Sequence, residues 1–471
     1  MTRFDIAYIV SHGFAARMVM QTNLLGRLVE KGHTVALIVP DEKDLNLLNY
    51  CKASKVNLFE FNQKNDFWSH QHADSRKYFL EDLDKNPALL EKHIWATKYN
   101  PSKNIIGQLR PRILYMVYKM VKYFPVIRTW YKSRENKHLE SSDAEALLNK
   151  INPRIIISTY PVNFTEAMLL RAGNNRKGSK TMIHLLSWDN ISCKGFFPEL
   201  ANEYIAWGQI MKDEFIEYYN IPESKIHICG VPHFDLHTDS ITKSDKSHIL
   251  QLGLDAQKPY LFFAMSSPRF APSEIDIVEW LSKAIENNLF GADLQMVVRP
   301  HPQNVQGSMA DISWIPRLKA LQTDRIKVDF PELSMESKMS FSMQAHDMVK
   351  FSQLLAGSAL CLNSGSTVSI DALVCHKPVI LTSFDGNEKF EYWKSARRLI
   401  SYTHLKKMVE TKGVTVVSNF EELTSKIQAY LADTNLHLIE REMLLNMQCT
   451  NEQSRATENV VQLLSNVCIN E

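Results

Sequence analysis

The sequence has 471 residues, of which 45% are hydrophobic and 23% are charged, and its formal net charge is +2. This length is too great for a single core and predicts two or three domains, while the balanced charge gives no indication of nucleic acid as a partner. The seven cysteines are scattered without a Cys-x-x-Cys pair. They are typical of reduced, buried thiols and argue against a disulfide framework or a zinc site.

No stretch contains the ~18–20 consecutive apolar residues that cross a bilayer. The apolar run near the amino terminus is too short for a secretory signal. We therefore expect a cytoplasmic protein, and a peripheral contact with the inner face of a membrane would be compatible with this expectation.

Apolar runs alternate with helical segments through the first half of the chain. Residues 5–10 read as a buried parallel strand, and a helix is predicted over 15–31 with Gly32 as its stop. His12 follows the first strand, at the carboxyl end where doubly wound sheets bind their ligands. Further strands of this half are predicted over 33–40, 56–59, 154–158, 180–186, 203–206 and 225–229.

The region 62–137 interrupts this alternation and is predicted to be an insertion. Residues 62–99 are polar and are predicted to be irregular, whereas residues 103–137 carry nine Lys or Arg against one acid, Glu135, among many apolar and aromatic side chains. Two interpretations are open. The segment is either a basic amphipathic helix at the surface of an anionic membrane, or a helix packed on the sheet with a solvated basic edge.

The second half repeats the alternation after a turn at residues 230–235 and a charge-rich stretch, 238–246, that is typical of a linker. The chain from Tyr402 onward is predicted to be largely helical. Strands of this half are predicted over 260–264, 294–298, 325–328, 359–362, from Pro378 onward, and over 414–417.

This pattern predicts an α/β protein with two doubly wound, Rossmann-like domains facing a cleft. Residues 1–235 would form the first domain, which carries the helical insertion, and residues 236–435 would form the second. Residues 436–471 would be carboxyl-terminal helices that return toward the first domain.

A polar turn from Asn363 to Thr367 lies between a predicted strand and a predicted helix. Free N–H groups and the macrodipole at a helix start favour an anion, and small residues let a phosphate approach the backbone. Most turns of this kind merely cap a helix, so the motif is not decisive alone. The candidate phosphate ligands are Ser364, Gly365, Ser366 and Thr367, and Asp371 is the candidate ligand of a ribose hydroxyl.

Two further turns of the second half carry candidate phosphate ligands. Ser266 and Arg269 follow one predicted strand, and Arg299 and His301 follow another. Arginine binds phosphate oxygens through a planar fork, and a neighbouring histidine adds a hydrogen bond. A departing diphosphate could be neutralised here without a metal, and no Asp-x-Asp pair follows a strand in this half to suggest Mg²⁺.

Two residues of the first half are candidate general bases. His12 has a side chain whose ordinary pKa lies near the operating pH, although a histidine in a turn can simply cap the next helix. Asp189 is the competing candidate, because a cleft can raise the pKa of a carboxyl group.

These segments resemble glycosyltransferases of the GT-B architecture. The stretch SHGFAARMVMQTNLLGRLVEKGHTVALIVP is similar to their first βαβ unit, including the loop histidine. SGSTVSID is similar to the phosphate loop and ribose-binding acid of lipid-linked N-acetylglucosaminyl transferases, with Asp371 in place of the usual glutamate. RPHPQN and GVPHFD resemble wall-polymer glycerophosphotransferases, and SWDNISCKG resembles a motif of bacterial surface-carbohydrate transferases.

The resemblance implies an inverting, metal-independent glycosyltransferase that takes a nucleotide-sugar as co-substrate and needs no bound cofactor. Its acceptor would be a hydroxyl of a lipid-linked or surface glycan, as in the biosynthesis of cell-envelope polysaccharides. Three alternatives stay open at this point. They are a polyol-phosphate transferase with a cytidine donor, a hydrolysing nucleotide-sugar epimerase, and a non-catalytic glycan-binding protein.

Overall fold

The computed structural model describes residues 3–20, 22–63, 67–243, 245–305, 311–333, 344–450 and 455–469. Its contacts divide this part of the chain into two compact units, and the boundary falls between His233 and Phe234. The first unit holds residues up to 233 together with 455–469, and the second holds 234–333 together with 344–450.

The first unit is built on one parallel sheet. Its strands are β1 (Ile6–Ile9), β2 (Val35–Val39), β3 (Asn57–Glu60), β4 (Ile155–Ser158), β5 (Lys180–His184), β6 (Glu203–Ala206) and β7 (Ile226–Ile228). Their order across the sheet is β3-β2-β1-β4-β5-β6-β7. Tyr8 of the central strand lies opposite Leu37 on one side and Ile157 on the other.

Helices cover both faces of this sheet. In chain order they are α1 (Gly13–Met20), α2 (Leu24–Glu30), α3 (Leu45–Ser54), α4 (Phe67–Leu80), α5 (Pro87–Ile94), α6 (Ile105–Val121), α7 (Pro125–His138), α8 (Ser142–Ile151), α9 (Phe164–Asn174), α10 (Asn190–Cys193), α11 (Gln209–Tyr219) and, near the carboxyl terminus, α22 (Ala456–Ile469), with a π-helical turn at Trp95–Tyr99. Tyr8 and Val10 belong to the core on one face, and Ala7 and Ile9 to the core on the other. Burial on both faces explains why the strand reads as a continuous apolar run.

The single helix predicted over residues 15–31 is wrong, because the structure contains two helices there, α1 and α2. The chain changes direction at Asn23, which has a φ of 55°. Asparagine adopts this left-handed conformation more readily than most other residues, so it can end one helix and begin the next. Gly32, with a φ of 93°, follows the second helix as predicted.

The prediction that residues 62–99 are irregular is also wrong for the described residues, which form α4, α5 and the π-helical turn. The buried positions of α4 are largely polar, so its sequence lacks an apolar stripe of helical spacing. Arg76 of this helix is paired with Glu135 of α7, and both side chains are almost fully buried. Tyr78 and Tyr118 belong to a small separate core of this insertion.

The second unit is built on a second parallel sheet, whose order is β10-β9-β8-β11-β12-β13. Its strands are β8 (Tyr260–Ala264), β9 (Gln295–Arg299), β10 (Ile326–Val328), β11 (Leu360–Asn363), β12 (Val379–Thr382) and β13 (Thr415–Val417). Its helices are α12 (Asp235–Lys243), α13 (Ser247–Gln251), α14 (Glu274–Glu286), α15 (Pro302–Val305), α16 (Trp314–Ala320), α17 (Ala345–Gly357), α18 (Val368–Val374), α19 (Thr403–Glu410), α20 (Phe420–Ala432) and α21 (Leu438–Gln448).

Residues 235–243 form helix α12 and are not a linker, which corrects the prediction for most of 238–246. The helix packs on α17. His237 and Ser240 are its buried residues, so a short polar helix is held here by buried polar contacts rather than by an apolar stripe. The two carboxyl-terminal helices belong to different units. Helix α21 contacts α18 of the second unit, whereas α22 belongs to the first unit.

The prediction of an α/β protein with two doubly wound parallel sheets is confirmed, and a strand is present at each predicted position. In each sheet the strand order reverses once, between β1 and β4 and between β8 and β11. Doubly wound sheets bind ligands beyond the carboxyl ends of the strands at this point. Across the parts of the chain that the structure describes, every helix is either too short or too polar to reach from one side of a bilayer to the other.

Candidate functional site

The loops that leave the first sheet bring four polar side chains near one another, and we call His12, Tyr160, Asp189 and Lys194 the first loop cluster. The rings of His12 and Tyr160 are 5.5 Å apart between centroids. Lys194 Nζ lies 3.8 Å from Asp189 Oδ2, with the two side chains 38% and 25% exposed. Ser187 Oγ donates a hydrogen bond of 2.6 Å to the other oxygen of Asp189. The ion pair is therefore accessible to solvent.

His12 is neutral in this environment. Burial, together with the positive charge of Lys194, lowers the pKa of His12 to about 4. The backbone N–H of Phe14 donates to His12 Nδ1 at 3.2 Å, and a neutral imidazole that accepts at Nδ1 carries its proton on Nε2. In this arrangement His12 offers an N–H donor, so acting as a base would require the other tautomer.

A buried glutamate that sequence reasoning missed joins the loops after β1 and β4. Glu166 is fully buried. Its carboxylate accepts hydrogen bonds from Ser158 Oγ at 2.6 Å, from the N–H groups of Tyr160 and Thr159 at 2.8 and 3.0 Å, and from the N–H of Ser11 at 3.2 Å. Burial raises the pKa of Glu166. The residue therefore holds the loops that carry His12 and Tyr160.

Glu274, at the start of α14, has the corresponding role in the second unit. Glu274 Oε2 accepts from the N–H of Ser266 at 2.6 Å, and Oε1 accepts from Ser364 Oγ at 2.5 Å. Ser364 Oγ also lies 2.8 Å from Thr382 Oγ1. Glu274 is almost fully buried, which raises its pKa to about 7. The loops after β8 and β11, which carry the predicted phosphate ligands, are thus joined through one carboxyl group.

The two glutamates share a spacing that could have revealed them. Ser158 lies eight residues before Glu166 and Ser266 lies eight residues before Glu274. Ser158 donates to its glutamate through its hydroxyl group, and Ser266 donates through its backbone N–H. Both pairs begin with a serine at or just after the end of a strand and end with an acid in the first turn of the next helix. This spacing is visible in the sequence as a serine at or just after the end of an apolar run, with a glutamate eight residues later.

We call Ser266, Ser267, Arg269, His301 and residues 363–367 the second loop cluster. Part of the predicted phosphate turn is already engaged. Asn363 Oδ1 accepts from the N–H groups of Gly365 and Ser366 at 2.8 and 3.0 Å. The expectation that the N–H groups of this turn are free for an anion is therefore wrong for these two residues, because an asparagine side chain occupies them. Gly365 itself has a φ of 98°, which favours glycine.

Buried hydroxyl groups supply other donors in the second loop cluster. Within the described residues, Ser267 Oγ and Ser366 Oγ are buried and have no hydrogen-bond partner. The loop after β9 is tied to the same place, since Asn304 Nδ2 donates to the carbonyl of Ser266 at 3.0 Å. Burying a hydroxyl without a partner is costly, which makes these two groups candidates for contact with a polar ligand.

His301 is half-buried, and burial lowers its pKa to about 4. The backbone N–H of Gln303 donates to His301 Nδ1 at 3.1 Å. The neutral ring therefore carries its proton on Nε2 and can donate a hydrogen bond at neutral pH. The sequence predicted this role of hydrogen-bond donor for His301, although its contact with a ligand stays a prediction.

The two arginines differ in burial. Arg269 is half-buried, and its loop is held by Arg398, which donates to the carbonyls of Arg269 and Phe270 at 3.0 and 2.9 Å. Arg299, in contrast, is 6% exposed, and its guanidinium group donates to the carboxylates of Asp329 and Asp347. The guanidinium group of Arg299 is therefore already bound by two acids. The predicted contact between Arg299 and phosphate stays a prediction.

Asp371 is almost fully buried in α18. Its Oδ1 lies 2.7 Å from His237 Nε2, and His237 Nδ1 lies 2.8 Å from Ser352 Oγ. The structure therefore gives the carboxyl group a protein partner on α12. The predicted contact of Asp371 with a ribose also stays a prediction.

The structure thus groups the predicted residues within each unit in different ways. It brings both His12 and Asp189 near Lys194 in the first unit, and it joins the loops of Ser266 and Ser364 in the second. Arg299 lies in a buried ion pair, and Asp371 is hydrogen-bonded to the buried His237. Lys194, whose pKa is raised chiefly by Asp189, was not predicted. Among the described residues, no group of three or more His, Cys, Asp or Glu side chains is arranged to hold a metal ion.

Neither a protein-family model nor a curated protein matches this sequence. Solved structures match nearly the whole chain. A putative UDP-N-acetylglucosamine 2-epimerase from Listeria monocytogenes has a TM-score of 0.53 and 12% identity, over 98% of this chain and 95% of that one. S. aureus MnaA, in a co-structure with UDP, has a TM-score of 0.51 and 12% identity, over 98% and 97%.

The wall teichoic acid polymerase TagF is also similar, with a TM-score of 0.50 and 9% identity, over 100% of this chain and 90% of that one. Identities this low show the fold alone. That fold is GT-B, so the architecture implied by the sequence motifs is confirmed.

Proposed function

We propose that this protein is an inverting, metal-independent glycosyltransferase that moves a sugar from a nucleotide-diphosphate donor to a hydroxyl of a lipid-linked or surface glycan. The second loop cluster would bind the diphosphate of the donor. The first unit would supply the base that removes the proton of the acceptor hydroxyl. Such a protein would act in the cytoplasm on an acceptor of the cell envelope.

The observation that carries this proposal is the set of donors in the second loop cluster. Ser267 and Ser366 have buried hydroxyl groups without a partner among the described residues, and His301 has a neutral ring with its proton on Nε2. Together with Arg269 and Thr367, they form a group of donors suited to phosphate oxygens. Such donors lower the barrier when negative charge develops on the departing phosphate.

Hydrogen bonding in the first loop cluster favours Asp189 over His12 as this base. His12 Nδ1 is occupied by the N–H of Phe14, whereas Asp189 is partly exposed beside Lys194. We therefore assign proton abstraction to Asp189, with His12 donating a hydrogen bond through Nε2. If Asp189 is the base, Asp189→Asn should abolish transfer, while His12→Gln, which retains an N–H donor, should retain part of it. The alternative is that His12 is the base.

The first experiment is a melting-temperature panel with UDP, CDP, GDP and CMP. Because a similar structure was solved with UDP, we expect UDP to raise the melting temperature most. His301→Ala should then lower the transfer rate by about a hundredfold, or ~3 kcal/mol, without changing the melting temperature of the unliganded protein. His346→Ala is the matched control, because His346 is an exposed histidine of the same unit. A wild-type rate in His301→Ala would exclude His301 from the mechanism.

A hydrolysing nucleotide-sugar epimerase is a second candidate, because the structure of a putative UDP-N-acetylglucosamine 2-epimerase shares the fold with a TM-score of 0.53. Incubation with a UDP-sugar and no acceptor distinguishes the two functions. An epimerase releases an altered sugar under these conditions, whereas the proposed transferase leaves most of the donor intact.

A polyol-phosphate transferase is the third candidate, favoured by the similarity to TagF. It would be stabilised by CDP or CMP rather than by UDP and would release a nucleoside monophosphate. A protein that bound glycans but neither hydrolysed nor transferred any donor would be a non-catalytic binding protein.

A further inference from the structure

Helices α6 and α7 of the insertion expose an unusual amount of apolar surface. Six large apolar residues of α6 are between 47% and 80% exposed, namely Ile105, Ile106, Leu109, Ile113, Met116 and Met120. The turn and the start of α7 add Tyr123, Phe124, Val126 and Trp130, which are between 56% and 78% exposed. We call these ten side chains the apolar face. Exposed patches of this kind mark interaction surfaces.

The residues of α6 in the apolar face lie on one side of the helix. Their spacing of three or four positions places all six within an arc of about 100°, at ~100° per residue. The opposite side contains Tyr118 and Val121, which are buried, and α6 packs there against α4. The apolar face is therefore not needed for the folding of the insertion, because the helix already has a packed side.

Positive charge borders this face. Residues 103–137 contain nine Lys or Arg and one acid. Arg112 and Lys119 are exposed along one edge of the α6 arc, Lys103 is exposed just before α6, and Arg128 is exposed on α7. The acid of the segment, Glu135, is buried in its pair with Arg76. Asp84, which lies outside the segment, is paired with Lys119 and Lys122, so Arg112 and Lys103 carry the positive charge that this edge presents.

We propose that the apolar face is a docking surface for an anionic lipid bilayer, with its side chains entering the headgroup region and the bordering Lys and Arg contacting lipid phosphates. An exposed apolar stripe flanked by basic residues is the pattern of helices that lie in the plane of a membrane interface. This inference does not depend on the donor, the acceptor or the catalytic residues proposed above.

Charge favours a bilayer over a second copy of this chain. A symmetric dimer formed through this face would bring the same basic border of both copies together, and like charges facing each other oppose association. An anionic membrane instead complements both the apolar centre and the positive edge.

The test is flotation of the full chain with lipid vesicles. Wild type should float with vesicles of phosphatidylglycerol and phosphatidylethanolamine, and far less with vesicles of phosphatidylcholine alone. The triple variant Ile106→Ser, Met116→Ser and Met120→Ser should lower the partition coefficient by at least about tenfold. These three side chains are 80%, 59% and 62% exposed, so the substitutions should leave the melting temperature unchanged.

A matched control removes equally exposed apolar side chains from the second unit. Leu250→Ser, Ile312→Ser and Ile439→Ser change residues that are 59%, 76% and 79% exposed, and this triple variant should float like wild type. Arg112→Glu should weaken binding to anionic vesicles at low salt, and high salt should reduce the difference from wild type.

Three results would overturn the proposal. They are wild-type protein that stays unbound with anionic vesicles, equal flotation of the two triple variants, and a wild-type dimer in solution that the α6 triple variant converts to monomer without any vesicle binding. Turnover with a water-soluble acceptor should be the same in wild type and in the α6 triple variant. Loss of flotation and loss of catalysis are therefore separable.

Discussion

Replacing Glu274 with glutamine should make the stability of the protein less dependent on pH. The carboxyl group is almost fully buried between Ser266 and Ser364, and burial raises its pKa from 4.5 to about 7. Because the folded protein binds this proton more tightly than the unfolded chain does, ionisation favours unfolding. The contribution of the protonated carboxyl group to stability is complete below pH 4.5 and is lost as the pH rises to about 7.

The size of the effect follows from the two pKa values of Glu274. Each pKa unit corresponds to ~1.4 kcal/mol, so the shift from 4.5 to about 7 amounts to ~3 kcal/mol by pH 8. Glutamine keeps the shape of the side chain. Its carbonyl can accept from the N–H of Ser266, and its amide can donate to Ser364 Oγ. We therefore expect Glu274→Gln to match wild type at pH 5 and to be more stable by ~3 kcal/mol at pH 8.

The same proton should be linked to nucleotide binding if the diphosphate binds at the second loop cluster. A bound diphosphate is negative and would favour protonated Glu274, so wild type should take up a proton on binding and lose affinity above pH 7. Urea denaturation at pH 5 and pH 8 measures the stability, and calorimetry in two buffers of different ionisation enthalpy measures the proton uptake. Glu286→Gln, an exposed position at the end of the same helix, is the control.

An equal difference between Glu274→Gln and wild type at pH 5 and pH 8 would refute this reasoning about stability. The binding argument is separate. It would fail if wild type and Glu274→Gln bound nucleotide with the same pH dependence and the same proton uptake.

Four other outcomes are expected. Arg299→Ala should lower the free energy of unfolding by ~3–5 kcal/mol, because it leaves two buried carboxylates without their guanidinium partner; an unchanged urea midpoint would contradict this. Asp371→Ala should lower the free energy of unfolding by ~1–3 kcal/mol, because it leaves the buried Nε2 of His237 without its hydrogen-bond partner; a normal stability with weaker nucleotide binding would instead support a ribose contact. Burial lowers the pKa of His184 to about 3, so wild type should lose ~2 kcal/mol between pH 7 and pH 5 through this residue, and His184→Gln should remove that loss. EDTA should leave donor turnover unchanged, and a loss of activity restored by Mg²⁺ would contradict a metal-independent mechanism.

Much of the fold was predictable because its strands are buried on both faces. Apolar runs such as residues 5–10 and 260–264 can only be strands of covered parallel sheets when turns and helical segments separate them. The errors fell where polar contacts replace apolar spacing. Helix α4 is held by Arg76 and Glu135, and α12 by His237. The break at Asn23 depends on a single left-handed residue.

The positions of the candidate site residues were also predictable, because parallel strands place their carboxyl ends on one edge of a sheet. His12, Asp189, His301 and Ser364 each lie in a loop after a strand, as the order of apolar runs and polar turns along the chain indicates. Local sequence is sufficient to place a residue in such a loop, because the placement depends only on the direction and type of the neighbouring elements.

The chemical state of these side chains, in contrast, depends on partners that are distant in the sequence. Arg299 is bound by acids 30 and 48 residues away, and Asp371 by a histidine 134 residues away. Glu274 acquires its raised pKa from burial, and it joins loops whose contributing residues are eight and 90 positions from it. Hydrogen bonding and desolvation act through space, so the folded chain establishes which polar groups are occupied and which remain available to a ligand.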